Sequence, residues 1–408
     1  MPARLSGGSE RRRERGLRGR GGFRNSLIAI AGLQAALGGP VAFGLRSRSG
    51  MVPEAALPIC LKGNGMRFYS NRTLRWVGVI CLCSALSAQA APELEKKEIS
   101  IAVGGLGTLY YLPLVIAEQR GYFRDQGLKV SIADLPGGAK ALQALVGGSA
   151  DFAAGSFEHV LQMQAKGVAI QSIVTQGDRP GLVLMMRKDK AAGWRSPASL
   201  KGLKVGVSAP GSGTHLFLNA LLAKAGLAAD AVSAIGVGTG ATAVAALKRG
   251  EIDALVAVDP SVSLLEQDGA AVTKVDTREQ AGAKAVYGGA CAAGSIYARA
   301  GFILRHPRTT QAVANAMIRA LRWLKQATPA QVAAAVPAAL RGDRPGIYQL
   351  ALARNSGGYT ADGVMSEDAA RHAYQFLLPA YPALSKVRLE QSYDNRFALR
   401  ASSLPERP

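Results

Sequence analysis

The sequence predicts an α/β fold of two similar lobes followed by C-terminal helices. Three observations predict it. Short apolar runs alternate with helical stretches across glycine turns, the pattern of a sheet with helices on its faces. The same order restarts after Leu200. A later run, Ser295 to Leu304, reads as a strand returning to the first half, so the chain crosses between lobes near 183–190 and again near 285–300, a two-strand hinge.

In the first half, Ile99 to Val103 reads as a strand, Gly104 to Thr108 as a glycine turn, and Tyr110 to Arg120 as a helix stopped by Gly121. Lys129 to Ala133 is the next strand. Pro136-Gly137-Gly138 opens a helix from Ala139 to Val146, and Asp151 to Ala154 is a short strand before Gly155-Ser156 and a helix through Gln164. Ala169 to Gln176 and Leu182 to Arg187 are further strands. The second half repeats this with strand Lys204–Val207, the turn Ser208 to Thr214, helix His215–Ala225, strand Val232–Val237, the turn Gly238-Thr239-Gly240, helix Ala241–Arg249 and strand Ala254–Val258 before Asp259-Pro260. Helices follow at Thr309–Gln326, Pro329–Ala335, Pro345–Ala353 and Ser366–Leu377. This assigns residues 91–185 and 290–400 to one lobe and 186–289 to the other.

Charge and the N-terminal segments bound the function. Net charge is +21, but residues 1–65 hold eleven Arg and Lys against three Glu, and residues 66–90 hold three Arg and no acid. The remaining excess of about +10 is spread along the chain rather than gathered in one run, which argues against nucleic acid. Met66 to Ala90 resembles a secretory signal peptide: Arg67, Arg72 and Arg75, an apolar run from Trp76 to Leu86 too short to span a bilayer, and an Ala88-Gln89-Ala90 cleavage site. Residues 1–65 then read as an upstream extension, with Met66 or Met51 the true start, or as a disordered segment. Beyond the leader only Cys291 remains, which excludes an internal disulfide and reads as a small buried hydrophobe.

The turn Gly211-Ser212-Gly213-Thr214 is the first candidate for ligand contact. A glycine- and serine-rich turn above a helix N-terminus points N–H groups and two hydroxyls at one spot, a place for an anionic or strongly polar group. The alternative is plain N-capping by Ser212 or Thr214. No Lys-Ser/Thr follows Gly213, so the turn is not a nucleotide P-loop. Thr108, Tyr110 and Tyr111 follow the first strand, and one of the tyrosines can reach a cleft while the other packs. Ser156 and Phe157 begin a helix, where Phe157 stacks on a ligand or joins the core. Glu158 and His159 follow, but adjacent helix residues do not face each other, and they read as solvated or capping groups. Gly238-Thr239-Gly240 and Thr242 repeat the anion-site pattern. Asp259 accepts from a ligand or caps a helix. Gly138 and Lys140 open another helix, with Lys140 expected in solvent. His215, His306 and His372 lack metal-ligand spacing. No catalytic group, metal or cofactor is expected.

Four motifs carry a resemblance. They are Leu112 to Ala117 with Arg120-Gly121-Tyr122-Phe123 and Gly127-Leu128-Lys129-Val130; Gly137-Gly138 through Gly148-Ser149-Ala150-Asp151-Phe152; Leu200 to Val207 with Gly211 to His215; and Gly250-Glu251-Ile252-Asp253-Ala254 ending at Asp259-Pro260. In this order and spacing they resemble the periplasmic substrate-binding proteins of ABC importers, in the nitrate/sulfonate/taurine-like group. The resemblance covers most of residues 98–305. It implies a two-lobed clamshell closing on a small solute, a monomer, and a permease partner in the inner membrane. Val258 stands where that group often has an aromatic residue. The residues favour a sulfonate- or carboxylate-like anion. The alternatives are a same-fold enzyme of thiamine-pyrimidine or menaquinone-type biosynthesis, and a periplasmic sensor.

Overall fold

The computed structural model describes residues 93–403. The upstream extension and the signal-peptide assignment at 66–90 lie outside the described residues. Two five-stranded sheets form the frame. The first contains β1 (Glu98–Val103), β2 (Lys129–Asp134), β3 (Phe152–Ser156), β4 (Ile170–Thr175) and β10 (Gly294–Arg299), in the order β2-β1-β3-β10-β4. The second contains β5 (Val183–Arg187), β6 (Lys204–Val207), β7 (Ser233–Gly236), β8 (Ala254–Ala257) and β9 (Ala271–Asp276), in the order β7-β6-β8-β5-β9.

The repeated pattern of the sequence is a repeated topology. In each sheet four strands run parallel, and the fourth position is taken by the antiparallel strand that has just arrived from the other lobe: β10 between β3 and β4, and β5 between β8 and β9. The crossings are Gln176–Leu182 and Thr277–Ala293. All of β5 pairs in the second sheet, so the first crossing ends before Val183 and the 185/186 division falls inside a strand. β9 and the helix before it, Ser261–Gln267, have no counterpart in the sequence reading. β9 is half exposed at a sheet edge and its apolar alternation is weak, which is why pattern reading passed over it.

The helices that matter for the cleft are α1 (Leu112–Gln119), α2 (Gly138–Gly147), α3 (Phe157–Ala165), α4 (Gly213–Lys224), α5 (Ala241–Lys248), α6 (Ser261–Gln267), α7 (Gln280–Tyr287), α8 (Pro307–Gln326), α9 (Pro345–Asn355) and α10 (Glu367–Leu377). The expected helix from Tyr110 is a 3-10 turn, Leu109–Tyr111, before α1, because Pro113 at the start of α1 fixes its first turn. β1 can approach α2 closely only because residue 104 is glycine: a Cβ there would lie 2.1 Å from the Gly138 nitrogen. α8 closes one face of the first sheet with a stripe that includes Val313, Met317 and Leu321. α10 starts where the Ser366 hydroxyl accepts from the Ala369 N–H at 3.1 Å, with Glu367 and Asp368 in its first turn. It packs on α3 of the first lobe and on α4 and α7, with Phe376 edge-on to Tyr287 at 4.7 Å, so the C-terminal segment spans both lobes at the back.

Candidate functional site

The carboxyl ends of β1, β3 and β6 converge on one cavity that is half open to solvent. Its walls include Thr108, Tyr110 and Tyr111 after β1, Ser156 at the end of β3, Ser208, Ser212, Gly213 and Thr214 after β6, and Thr239 after β7. The lobes touch around it. The Leu109 N–H donates to the Asp259 carbonyl at 2.9 Å. A Cβ on Gly213 would lie 2.6 Å from Ser156 Oγ and 3.0 Å from its Cβ.

The β6–α4 turn is a ring of hydroxyls. Ser208 Oγ lies 2.8 Å from Ser212 Oγ and 3.0 Å from Thr214 Oγ1, and the last two are 2.9 Å apart. The Ser212 hydroxyl donates to the Ala209 carbonyl at 2.7 Å, and Thr214 Oγ1 accepts from the Ser208 N–H at 2.9 Å. With the Ser208 proton directed to Ser212 and the Ser212 proton to Ala209, the Thr214 proton is left to Ser208 Oγ or Ser212 Oγ within the ring, and it is the one proton of the three that can turn from there to a ligand. Neither Ser212 nor Thr214 caps α4 by side chain: Ser212 holds the N-cap position, but its hydroxyl makes no capping bond. The first N–H groups of α4 therefore stay available.

The opposite wall is acceptor-rich. Ser156 donates its hydroxyl to the Glu158 carboxylate, and Tyr110 Oη lies 3.2 Å from Ser156 Oγ. Tyr110 and Tyr111 meet edge to face with ring centres 5.0 Å apart. Both line the cavity, while Tyr111 also belongs to the first-lobe core.

Glu158 and His159 are buried, not solvated. The first turn of α3 lies between the sheet and the second lobe, so every face of it is covered. Burial pushes the Glu158 carboxyl up to about 7, against the pull of the Ser156 hydrogen bond. Burial pushes His159 down to about 4. His159 Nδ1 lies 3.1 Å from the Tyr297 hydroxyl, so its bonding partner is neither Ser156 nor Glu158 and the three residues do not form a nucleophile–base arrangement. Burial also pushes the Cys291 thiol well up, which fits its reading as a buried hydrophobe.

Three expected contacts are not in the cavity wall. Phe157 is fully buried and packs in the core with Leu161 and Phe217, so no ring face is left for a ligand. Thr242 is exposed and donates to the Thr239 carbonyl at 3.0 Å, a local turn bond. Asp259 is completely buried. Its carboxylate accepts from the Ser263 N–H at 2.8 Å, Asn355 Nδ2 at 2.7 Å and Arg278 at 3.2 Å, while its neighbour Val258 faces the cavity. Sequence reasoning missed Ser208 as a member of the hydroxyl ring, and Gln176 and Arg179 of the first crossing, and it read Glu158, buried behind Ser156, as a solvated or capping group. Only Ser208 carried a signal, its place at the end of a strand. Lys140 is exposed, as expected. No lining residue of the cavity carries a charge. Among the described residues no group of His, Cys, Asp or Glu is placed to hold a metal, and no helix is long and apolar enough to cross a membrane.

A family model described as NMT1/THI5 like matches residues 108–331, from the β1 turn to beyond the start of α8. The chain belongs to the NMT1/THI5-like family. A solved structure from Bordetella bronchiseptica RB50 shares 45% identity, with 76% of this chain and 98% of that one covered and a TM-score of 0.74. The alkanesulfonate-binding protein SsuA of Xanthomonas axonopodis pv. citri, solved with MOPS, shares 22% identity, with 74% of this chain and all 100% of that one covered and a TM-score of 0.60. The fold of this NMT1/THI5-like chain is thus that of the periplasmic binding proteins, as the resemblance implied. Among curated relatives, the 4-amino-5-hydroxymethyl-2-methylpyrimidine phosphate synthase of Aspergillus parasiticus is 27% identical over 42% of this chain and 49% of its own length. The chain spans about half or less of the curated relatives it matches.

Proposed function

We propose that this protein is the extracytoplasmic solute-binding component of an ABC importer. It captures a small carboxylate- or sulfonate-like solute between its lobes and passes it to a permease in the inner membrane, with residues 66–90 directing export. The observation that carries the reading is the hydroxyl ring at the α4 N-terminus. It offers a Thr214 proton that can turn from its ring partners to a ligand and helix N–H groups with no side-chain cap, and it faces Ser156 and Tyr110 on the other lobe. Neutral donors of this kind hold an anion without a counter-charge, because the helix N-terminus supplies partial positive charge.

A second reading has a specific observation behind it. The Tyr110–Tyr111 pair gives aromatic wall, and pyrimidine phosphate synthases stand among the relatives, so a pyrimidine-like solute, bound or transformed, is the competitor. Thermal-shift measurements on the purified protein separate the two, since a ligand of the native form raises the melting temperature. Alkanesulfonates or aliphatic carboxylates are expected to raise it. A shift with a hydroxymethylpyrimidine and none with any anion overturns the anion reading.

Thr214→Val should weaken anion binding by more than tenfold, corresponding to about 1.5–3 kcal/mol for a hydrogen bond to a charged group. Ser212→Ala should cost less, because the Ser212 proton is already committed to Ala209. Equal losses in calorimetric titration contradict this donor assignment. Gly213→Ala should act differently. Its added methyl forces α4 away from Ser156, so affinity should fall about tenfold or more while the melting temperature of the ligand-free protein moves by only about 1–2 °C. An unchanged affinity shows that contact at this point is not needed for binding.

A further inference from the structure

A second pocket lies at the hinge and adjoins the first. The two share Tyr110 and Val258 in their walls, so they adjoin at these side chains. The hinge pocket is polar in a different way. Gln176, first residue of the first crossing, is 1% exposed, and neither its amide nitrogen nor its amide oxygen has a hydrogen-bond partner. Its backbone is fixed to the first lobe, with its N–H donating to the Gly294 carbonyl at 2.7 Å and its carbonyl accepting from the Thr360 N–H at 3.2 Å. Arg179 lines the same space, with Asp178 3.7 Å away as an ion-pair partner. Asn355 and Tyr359 complete the wall, but their polar groups are already bonded, Asn355 to Asp259 and Tyr359 to the Leu109 carbonyl at 2.7 Å.

A buried amide with both atoms unpaired costs free energy unless something answers it. A carboxamide or ureide edge presents a carbonyl beside an N–H and answers both atoms at once, and Arg179 supplies a further donor to the carbonyl. We propose that the hinge pocket binds the carboxamide or ureide end of an elongated solute whose carboxylate lies at the Thr214 hydroxyl ring. This rests on the solute-binding reading above and specifies its substrate class: an ω-amido or ω-ureido carboxylate.

Three probes and one variant test it on the full chain by calorimetric titration and melting: 3-ureidopropionate, glutarate and butyrate, with wild type and Gln176→Leu. Wild type should bind 3-ureidopropionate at least tenfold more tightly than butyrate, and more tightly than glutarate. Gln176→Leu should lose that advantage, keep butyrate affinity within about twofold, and melt no lower than wild type without ligand, because a buried unpaired amide has been replaced by an apolar group of similar size. A merely structural glutamine would instead lower the melting temperature and affect all three ligands together, which overturns the proposal. Butyrate and glutarate bound with no gain from the ureide also overturn it, while leaving the solute-binding reading intact. No binding of any carboxylate or sulfonate overturns both.

Discussion

Replacing Arg278 with methionine is expected to cost about 3–5 kcal/mol of stability, the loss typical when one partner of a buried ion pair is removed. The Arg278 side chain is 4% exposed and reaches three carboxylates: Asp259 at 3.2 Å, Glu266 at 3.0 Å and Asp276 at 2.6 Å. Glu266 and Asp276 are partly exposed and can turn to water. Asp259 cannot, so the variant leaves a buried charge with only Ser263 and Asn355 as donors. Adding Asp259→Asn to Arg278→Met should recover part of the loss, since the two sites share one interaction. Urea unfolding of the single and double variants measures both, and a single-variant loss below about 1 kcal/mol would refute the assignment. The consequence reaches the cleft. The Asp259 carbonyl holds Leu109, Asn355 of α9 holds its carboxylate, and Arg354 of the same helix pairs with Glu266. The network therefore holds the chain beside Val258, which lines both pockets together with Tyr110.

The second large effect concerns pH. Glu158 is raised from 4.5 to about 7, and His159 is lowered from 6.5 to about 4. Between about 4.5 and 6.5 the folded protein holds a proton on Glu158 that the unfolded chain has released, so this group makes stability fall as pH rises. Over nearly the same window the unfolded chain holds a proton on His159 that the folded protein refuses, so that group makes stability rise. In the wild type the two slopes oppose and largely cancel. Glu158→Gln should uncover the histidine slope, a gain on the order of 3 kcal/mol between pH 4.5 and 6.5, and His159→Gln should uncover the opposite slope. Urea unfolding across that range reads both, and parallel pH profiles for the two variants would sink the pairing. The same carboxyl affects binding. Once ionised above about 7 it fixes the Ser156 proton and adds negative charge behind the cavity, so anion affinity should fall as pH rises through that value.

The fold was largely readable because its evidence is local. β6 at Lys204–Val207 and the helix Pro329–Ala335 stand where the pattern placed them, since an apolar run between glycine turns or a Thr-Pro start is decided within a few residues. The hydroxyl ring at Ser212 and Thr214 was readable for the same reason: strand, turn and helix N-terminus adjoin in sequence. Phe157, Thr242 and Asp259 were not. Phe157 and Asp259 sit beside the cavity-lining residues Ser156 and Val258, and Thr242 lies three residues after Thr239; one to three steps along the chain turn a side chain from the cleft into the core, an ion network or the solvent.

The sequence by itself determined the alternation of strands and helices, the doubling of the lobe pattern and the places where turns meet helix N-termini. These follow from backbone preferences and periodicity. Only the tertiary structure decided which neighbour faces the cleft, that Glu158 and His159 are sealed away from water, and that Gln176 lies unpaired at the hinge. Those outcomes depend on surfaces brought together from more than 100 residues apart, as when Gly294 and Thr360 fix Gln176. Burial, and with it protonation and free hydrogen-bonding capacity, exists only once those surfaces have met.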